Sequence, residues 1–187
     1  MSVSTNDLRN GMTLDLDGEL WTVLEFLHHK PGKGQAVVRT KLRNVRTGAV
    51  LERTFRADEK VGLAILEKRE QQFLYREGDA LVFMDLGTYE QVHVPAEVAG
   101  GAVHYLTEGA TAVVAYHQGV PIAVELPAAV TLAVADTEPG LRGDRVSGAM
   151  KPATLETGLV VQVPLFVEPG DRVKVDTRTG EYLERVK

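Results

Sequence analysis

Apolar and polar residues alternate with a period of two along most of the chain, and the runs break every ten or so residues at turns that contain glycine. This pattern predicts half-buried β-strands joined by tight turns. Paired strands are predicted around Asp17-Gly18, Thr47-Gly48, Glu77-Gly78-Asp79 and Gln118-Gly119, and further strands within 89–95, 129–137, 159–167 and 172–186. The stretch "PAEVAGGAVHYL" (95–106) is the best candidate for a short helix, with Pro95 at its start.

Many short strands at even spacing predict an all-β protein of barrels or sandwiches. Composition changes near residue 63 and near Pro127. These two points divide the 187 residues into 1–63, 64–126 and 127–187. Each third has about the size of a small closed barrel, a form that leaves no exposed sheet edge.

A short internal repeat also points to shared turn chemistry. "RTGAVLER" (46–53) and "RTGEYLER" (178–185) match at six of eight positions. Eight residues do not establish a duplication. We interpret the match as two hairpins that use the same Thr-Gly turn.

Composition narrows the class of protein further. The chain has no cysteine, so disulfides and thiolate metal sites are excluded. No apolar run approaches the 18 residues of a membrane span, and "MSVSTNDLRNGM" lacks the apolar core of a signal peptide. We therefore expect a cytoplasmic protein with no membrane partner.

The formal net charge of −5 conceals an uneven distribution. The stretch from His28 to Arg46, "HHKPGKGQAVVRTKLRNVR", holds six Lys or Arg and no acid, whereas 64–126 holds nine acids and three bases. A basic stripe on an acidic chain indicates localised contact with a polyanion. From charge alone, a solvated strand face fits equally well.

Within the basic stretch, "KPGKGQ" (30–35) places one lysine between two glycines at the end of a predicted hairpin. Pro31 restricts the backbone that enters this tip, and Gly32 and Gly34 relieve steric limits beside Lys33. A narrow tip of this kind can enter a crevice, and an isolated lysine is accessible to a modifying enzyme. An ordinary flexible hairpin tip has the same composition, so these six residues leave both interpretations open.

The sequence contains no HExxH, GxxxxGK[ST] or GxSxG motif, and no nucleophile with a base and an orienting partner. His28 and His29 are adjacent and would point to opposite faces of a strand, so they do not predict a metal site. Asp15 and Asp17 flank a turn and more simply serve turn formation. We expect no catalytic residue, metal or cofactor, and the protein is not predicted to be an enzyme.

Longer segments resemble the elongation factor P family of bacterial translation factors. "KPGKGQAVVRTKLRN" resembles its first-domain loop and following strand, "FMDLGTYEQ" its middle domain, and "DTEPGLRGDRVSGAMKPATLETGLVVQVPLFVEPGDRVKVDTRTGEYLERV" its C-terminal domain. Residues Lys151, Ala153, Gly158, Val161, Val163, Pro164, Val167 and Gly170 fall at the spacing of the family signature. The resemblance covers essentially the whole chain.

The resemblance implies three small β-barrels, one SH3-like and two OB-type, in an L shape like that of tRNA. It also implies a monomer that binds the 70S ribosome between the peptidyl and exit sites. There it promotes peptide-bond formation at stalled sites, notably consecutive prolines, by contacting peptidyl-tRNA. A factor that orients the tRNA end needs no acid or base of its own.

Carried over by position, the tip comprises Pro31, Gly32, Lys33 and Gly34, and Lys33 is the residue that a modifying enzyme would extend. Basic side chains suited to RNA phosphates are Lys30, Arg39, Lys41 and Arg43. The family's Gly-Asp-Thr loop corresponds to Gly143-Asp144-Arg145, where Arg145 departs from the usual threonine and puts that codon contact in doubt. Ala149 replaces a common second glycine.

The alternative is a general OB-type RNA-binding protein outside translation. Such a protein needs exposed aromatic side chains on which bases can stack. The chain is only 6% aromatic, and 28–46 contains no Phe, Trp or Tyr. Composition therefore favours the elongation factor.

Overall fold

A computed structural model of the chain describes residues 1–140 and 148–187. Within these ranges nearly all regular structure is β-strand, arranged in three sheets with three β domains, which confirms the predicted all-β class. By contact density the chain forms two compact units, Met1–Lys68 with Val114–Ala123 and Arg69–Val113 with Val124–Lys187.

The first sheet has six strands in the order β1-β6-β2-β3-β4-β5. Their bounds are β1 Ser2–Ser4, β2 Thr13–Leu16, β3 Glu19–His29, β4 Val37–Asn44, β5 Val50–Arg56 and β6 Lys60–Ala64. Leu14, Val38 and Leu42 are completely buried, and Trp21 packs in the same apolar cluster. The period-two pattern thus supplies a buried face most regularly on β4, whereas Phe55 is the one buried residue of β5.

The second sheet has five strands in the order β11-β10-β7-β8-β9. The bounds are β7 Glu67–Glu77, β8 Ala80–Asp85, β9 Gln91–Pro95, β10 Thr111–His117 and β11 Val120–Glu125. The rings of Phe73 and Phe83 pack with their centroids 5.6 Å apart in its core. The predicted helix is confirmed but short: α1 spans Ala96–Ala99 after Pro95, and a 3₁₀ turn continues over Gly100–His104.

The third sheet also has five strands, in the order β14-β13-β12-β15-β16. Their bounds are β12 Ala129–Thr137, β13 Met150–Leu155, β14 Val160–Pro164, β15 Arg172–Asp176 and β16 Tyr182–Val186. The sequence pattern does not predict β13, which carries Pro152. Proline has no N–H for a sheet ladder, so its presence argues against a central strand. Here the pairing of β12 with β13 begins only at Ala153, and Pro152 pairs on one side alone, with Gln162.

The internal repeat does reflect shared turn chemistry. In the hairpin after Asn44, the Asn44 Oδ1 accepts from the backbone N–H groups of Arg46 and Thr47. Asp176 accepts in the same way from Arg178 and Thr179. A third turn repeats the arrangement, since Asp85 accepts from Gly87 and Thr88. In each turn the threonine hydroxyl then accepts from the backbone N–H two residues on, at Ala49, Glu181 and Glu90.

The carboxylates of these turns should make part of the free energy of unfolding sensitive to acid. The backbone N–H of Thr88 lowers the pKa of Asp85 most strongly, and that of Arg178 does the same for Asp176. A carboxylate whose pKa is lowered by folding stabilises the fold above its unfolded pKa, here about 3.8. That stabilisation is lost as the pH falls through the folded pKa.

We therefore expect the double variant Asp85→Asn/Asp176→Asn to flatten the decline in thermal midpoint below about pH 3.8. The turns themselves should persist, because Asn44 makes the same bonds with an amide oxygen. Thermal melts followed by circular dichroism between pH 7 and pH 2 measure the effect. An acid decline as steep as that of the wild type would contradict it.

Candidate nucleic-acid interface

Lys33 lies at the tip of a seven-residue loop between β3 and β4. The last paired residues are His29 and Val37, so the loop comprises 30–36 with Lys33 at its centre. Lys33 is exposed, and it makes no hydrogen bond or ion pair within residues 1–140 and 148–187. The structure thus leaves its ammonium group available to a partner.

The two glycines beside Lys33 differ in what surrounds them. Neither has a φ in the left-handed region that favours glycine. A Cβ on Gly32 would meet no atom within 4 Å, whereas one on Gly34 would lie 3.2 Å from the Pro31 Cγ. The backbone of this loop therefore does not require glycine at position 32, and the steric relief predicted there is not used within the protein.

The hairpin that carries the loop presents opposite faces to core and solvent. On β4 the side chains of Val38, Thr40, Leu42 and Asn44 are buried. Arg39, Lys41 and Arg43 alternate with them and share the other face, with Lys41 half-buried and both arginines exposed. Three of the four basic residues predicted to contact RNA therefore lie on one surface, here called the outer face; Lys30 lies in the adjoining loop.

Cross-strand neighbours give the three cations different surroundings. Lys41 lies directly opposite Glu25 on β3 and Glu52 on β5. Arg39 lies opposite Leu27 and Thr54, and Arg43 opposite Thr22 and Val50. Opposite side chains in a sheet have Cβ atoms only about 5 Å apart. Carboxylates therefore flank Lys41 on both sides, whereas the arginines have uncharged neighbours.

Arg56 is a further cation of this surface that was not predicted from the sequence. Arg56, at the end of β5, pairs with Val37 and belongs to the same alternating set as Thr54 and Glu52. It is exposed and stands in the row next to the loop. The signal was available, because the hairpin predicted around Thr47-Gly48 sets the register that brings 56 opposite 37.

The residues considered for catalysis or metal binding have structural roles. Asp15 Oδ1 accepts from the Gly18 N–H at 3.0 Å, and Asp17 occupies the turn with a φ of 57°. The His28 ring packs edge-on against Phe26, with centroids 5.7 Å apart. Among the residues the structure describes, no group of three or more His, Asp or Glu side chains could hold a metal ion.

Gly143, Asp144 and Arg145 lie outside the described residues, but the segments on either side of them are held together. Lys151 is buried, and its Nζ donates to the backbone carbonyl of Glu138. The Thr137 hydroxyl donates to the Pro152 carbonyl at 2.9 Å. A Cβ on Gly140 would lie 2.5 Å from the Leu165 carbonyl oxygen, so only glycine fits there.

Comparison with protein-family models matches three consecutive parts of the chain. Residues 4–61 match the elongation factor P KOW-like domain, 66–124 the elongation factor P OB domain, and 130–185 the elongation factor P C-terminal domain. The matches follow one another in the order of the three sheets.

Whole-length relatives give the same result. The chain is 63% identical over 182 residues to elongation factor P of Acidothermus cellulolyticus, covering 97% of each chain. It is 55% identical over 183 residues to elongation factor P of Moorella thermoacetica, covering 98% of this chain and 99% of that one.

Among solved structures, the fold is similar to "Eukaryotic translation initiation factor 5A from Methanococcus jannaschii". The TM-score is 0.53 at 26% identity, covering 66% of this chain and 93% of that chain. A KOW-like domain followed by an OB domain, together with this structural similarity, defines a β-domain translation factor. The chain belongs to the elongation factor P family, and it is a translation elongation factor that acts with the ribosome.

No helix in the described parts of the chain is long and apolar enough to cross a membrane.

Proposed function

We propose that the protein promotes peptide-bond formation at stalled ribosomes, notably within runs of proline, by positioning the acceptor end of peptidyl-tRNA. The observation that carries this proposal is Lys33, which is exposed at the centre of the 30–36 loop and has no partner among residues 1–140 and 148–187. Proline is a constrained secondary amine whose ring fixes φ, so a reactive geometry is hard to reach. A group that restrains the reacting end can supply rate through orientation alone.

In this proposal the protein binds the 70S ribosome between the peptidyl and exit sites, as a cytoplasmic monomer and not as an enzyme. The three domains comprise 1–63, 64–126 and 127–187. The tip formed by Pro31, Gly32, Lys33 and Gly34 reaches the tRNA end. Gly143, Asp144 and Arg145 are proposed to contact RNA as well.

Lys30, Arg39, Lys41 and Arg43 contribute the electrostatic part of this contact. Three of them share the outer face beside the tip, and the alternation of β4 holds them there. Binding through phosphate contacts releases counterions, so ribosome affinity should fall steeply with salt concentration.

Lys33 is also the proposed target of a modifying enzyme. Its amine is exposed and is not engaged within the described residues, so an enzyme can reach it without unfolding the hairpin. Intact mass spectrometry of protein purified from its native host tests this point. An added mass on the peptide that contains Lys33 supports it, and an unmodified, fully active protein shows that the bare lysine suffices.

The alternative, a general RNA-binding protein outside translation, would need stacking surfaces for bases. On the sheet that carries the loop, Phe55 of β5 is buried beneath the Arg53 guanidinium, and Phe26 of β3 is 36% exposed. Exposed rings do occur elsewhere, at Tyr75, Tyr89 and Phe166, but the basic stretch 28–46 contains none. Family membership is therefore the main support for the ribosomal role.

The proposal is tested in a reconstituted translation system that synthesises one reporter with a proline run and one without. Added protein should restore synthesis through the proline run and leave the control reporter unchanged. Equal stimulation of both reporters, or of neither, would contradict the proposed role at proline runs.

The tip glycine provides a separate prediction. We expect Gly32→Ala to leave stability unchanged or raise it by about 0.4–1 kcal/mol, because the backbone there accepts a Cβ. Activity at proline runs should nevertheless fall, because the added methyl widens a tip that must enter a crevice.

Gly101→Ala is the matched control, since a Cβ at that position also meets no atom and its φ is not left-handed. It should keep both stability and activity. Full activity of Gly32→Ala would show that a narrow tip is not needed.

A further inference from the structure

The outer face consists of four cross-strand rows, counted from the loop. The first is His29–Val37–Arg56, the second Leu27–Arg39–Thr54, the third Glu25–Lys41–Glu52 and the fourth Thr22–Arg43–Val50. With neutral histidine, the formal charges of the rows are +1, +1, −1 and +1. The stripe that is purely basic in sequence is therefore interrupted once the strands are paired.

The negative third row and the positive second row belong to one continuous surface. Glu25, Lys41 and Glu52 line the same open groove as Leu27, Arg39 and Thr54. Consecutive rows on one face are about 6.7 Å apart, which is less than the screening length of about 8 Å at physiological salt. The carboxylates of the third row therefore repel an anion held at Arg39. This repulsion limits how far a phosphate chain can extend from Arg39 along β4.

We infer that the RNA-contacting part of the outer face is confined to the two rows next to the loop, where Arg39 and Arg56 bind backbone phosphates. Glu25 and Glu52 outweigh the positive charge of Lys41 in the third row and form the boundary of the surface. This inference rests on the proposed function and refines it. On the outer face it adds Arg56 to the proposed contact residues and removes Lys41 and Arg43, because the row of Lys41 is net negative and the row of Arg43 lies beyond it.

Boundary carboxylates give a bound RNA one register. A polyanion could otherwise slide along an unbroken row of cations on β4, because electrostatic attraction to phosphates is independent of sequence and permits sliding. Because the third row is negative, an RNA strand that contacts Arg39 and Arg56 is held close to the loop and hence to Lys33. The charge pattern thus links the phosphate contacts to the placement of the tip.

Titrations of full-length protein against 70S ribosomes with tRNA in the peptidyl site, between 50 and 300 mM salt, test the inference; these are roughly the concentrations over which phosphate contacts weaken most visibly. Arg39→Gln and Arg56→Gln should each weaken binding and reduce the slope of log affinity against log salt by about 1. Glu25→Gln/Glu52→Gln should strengthen binding and steepen the slope, because the third row then changes from a charge of −1 to +1.

The decisive variant is the triple substitution Glu25→Gln/Lys41→Gln/Glu52→Gln. It removes the lysine together with both carboxylates, so the row changes from negative to neutral. We expect binding at least as tight as that of the wild type. Weakening comparable to that caused by Arg39→Gln would show that Lys41 itself binds phosphate and would overturn the inference.

A matched control distinguishes the effect of the carboxylates beside Lys41 from the effect of the protein's net charge on ribosome binding. Glu77→Gln/Glu184→Gln also removes two exposed carboxylates, which pair with His93 at 2.8 Å and Lys174 at 3.2 Å. Both double variants raise the formal net charge of −5 by two. An equal gain in affinity from the control would contradict a local boundary. If the wild type itself shows no salt-dependent ribosome binding, the proposed function fails and the inference fails with it.

Discussion

Lys33→Ala should abolish the stimulation of synthesis through proline runs while leaving the fold intact. The loss of a positioned contact at a reacting centre costs on the order of 100-fold in rate. The side chain is exposed and unpartnered within the described residues, so its removal should change the free energy of unfolding by less than about 0.5 kcal/mol. Dipeptide or reporter synthesis measures the first effect, and denaturant unfolding the second.

Lys60→Ala is the matched control, because Lys60 is likewise exposed on the same domain but stands at the start of β6. It should retain full activity. A loss of stability in Lys33→Ala as large as that of a core substitution would show that Lys33 supports the fold and is not a contact residue. Activity retained in Lys33→Ala would remove the central observation of the proposed function.

Leu42→Ala should cause the largest loss of stability among the variants considered, about 2–5 kcal/mol. Leu42 is completely buried in the core of the first sheet, on the face of β4 opposite the arginines. The free energy of unfolding of a small domain is only about 5–15 kcal/mol, so the folded hairpin that presents Lys33 would be poorly populated at elevated temperature. Activity at proline runs should then decline with temperature in parallel with unfolding.

Trp21 allows this unfolding to be observed separately from the rest of the chain. It is the one tryptophan in the sequence, and it packs in the same cluster as Leu42. Its fluorescence in urea therefore reports the first domain, which matters because a multidomain chain need not unfold in one step.

Leu27→Ala provides the comparison for Leu42→Ala, since the Leu27 side chain is 61% exposed on the neighbouring strand. It should shift the urea midpoint by an amount that corresponds to no more than about 0.5 kcal/mol. Equal midpoints for the two variants would contradict the assignment of buried and exposed faces in this hairpin.

Strands and turns were predictable because their causes are local. At Asp17-Gly18 and Gln118-Gly119 both residues adopt positive φ, which is the requirement of a two-residue hairpin turn. Alternation then places every second side chain of a strand on the buried face, as at Val38 and Leu42. β13 was not predicted because the tolerance of Pro152 depends on which of its sides is paired, and that is a tertiary fact.

The same distinction between local and tertiary causes applies to the candidate site. The position of Lys33 between two glycines and the presence of basic residues from Lys30 to Arg43 are properties of a continuous segment, so the sequence contains them directly. The inclusion of Arg56 and the flanking of Lys41 by Glu25 and Glu52 involve residues from other strands. A count of charges along one segment cannot reveal them.

By itself, the sequence determined an all-β chain of three domains, the hairpin turns, the exposed lysine tip and the resemblance to a family, since each depends on neighbouring residues or on whole-length similarity. Only the tertiary structure decided which charges face one another. Cross-strand pairing brings side chains from distant segments to within about 5 Å, so an apparently uniform basic stripe becomes two arginine rows beside the loop, bounded by a pair of carboxylates.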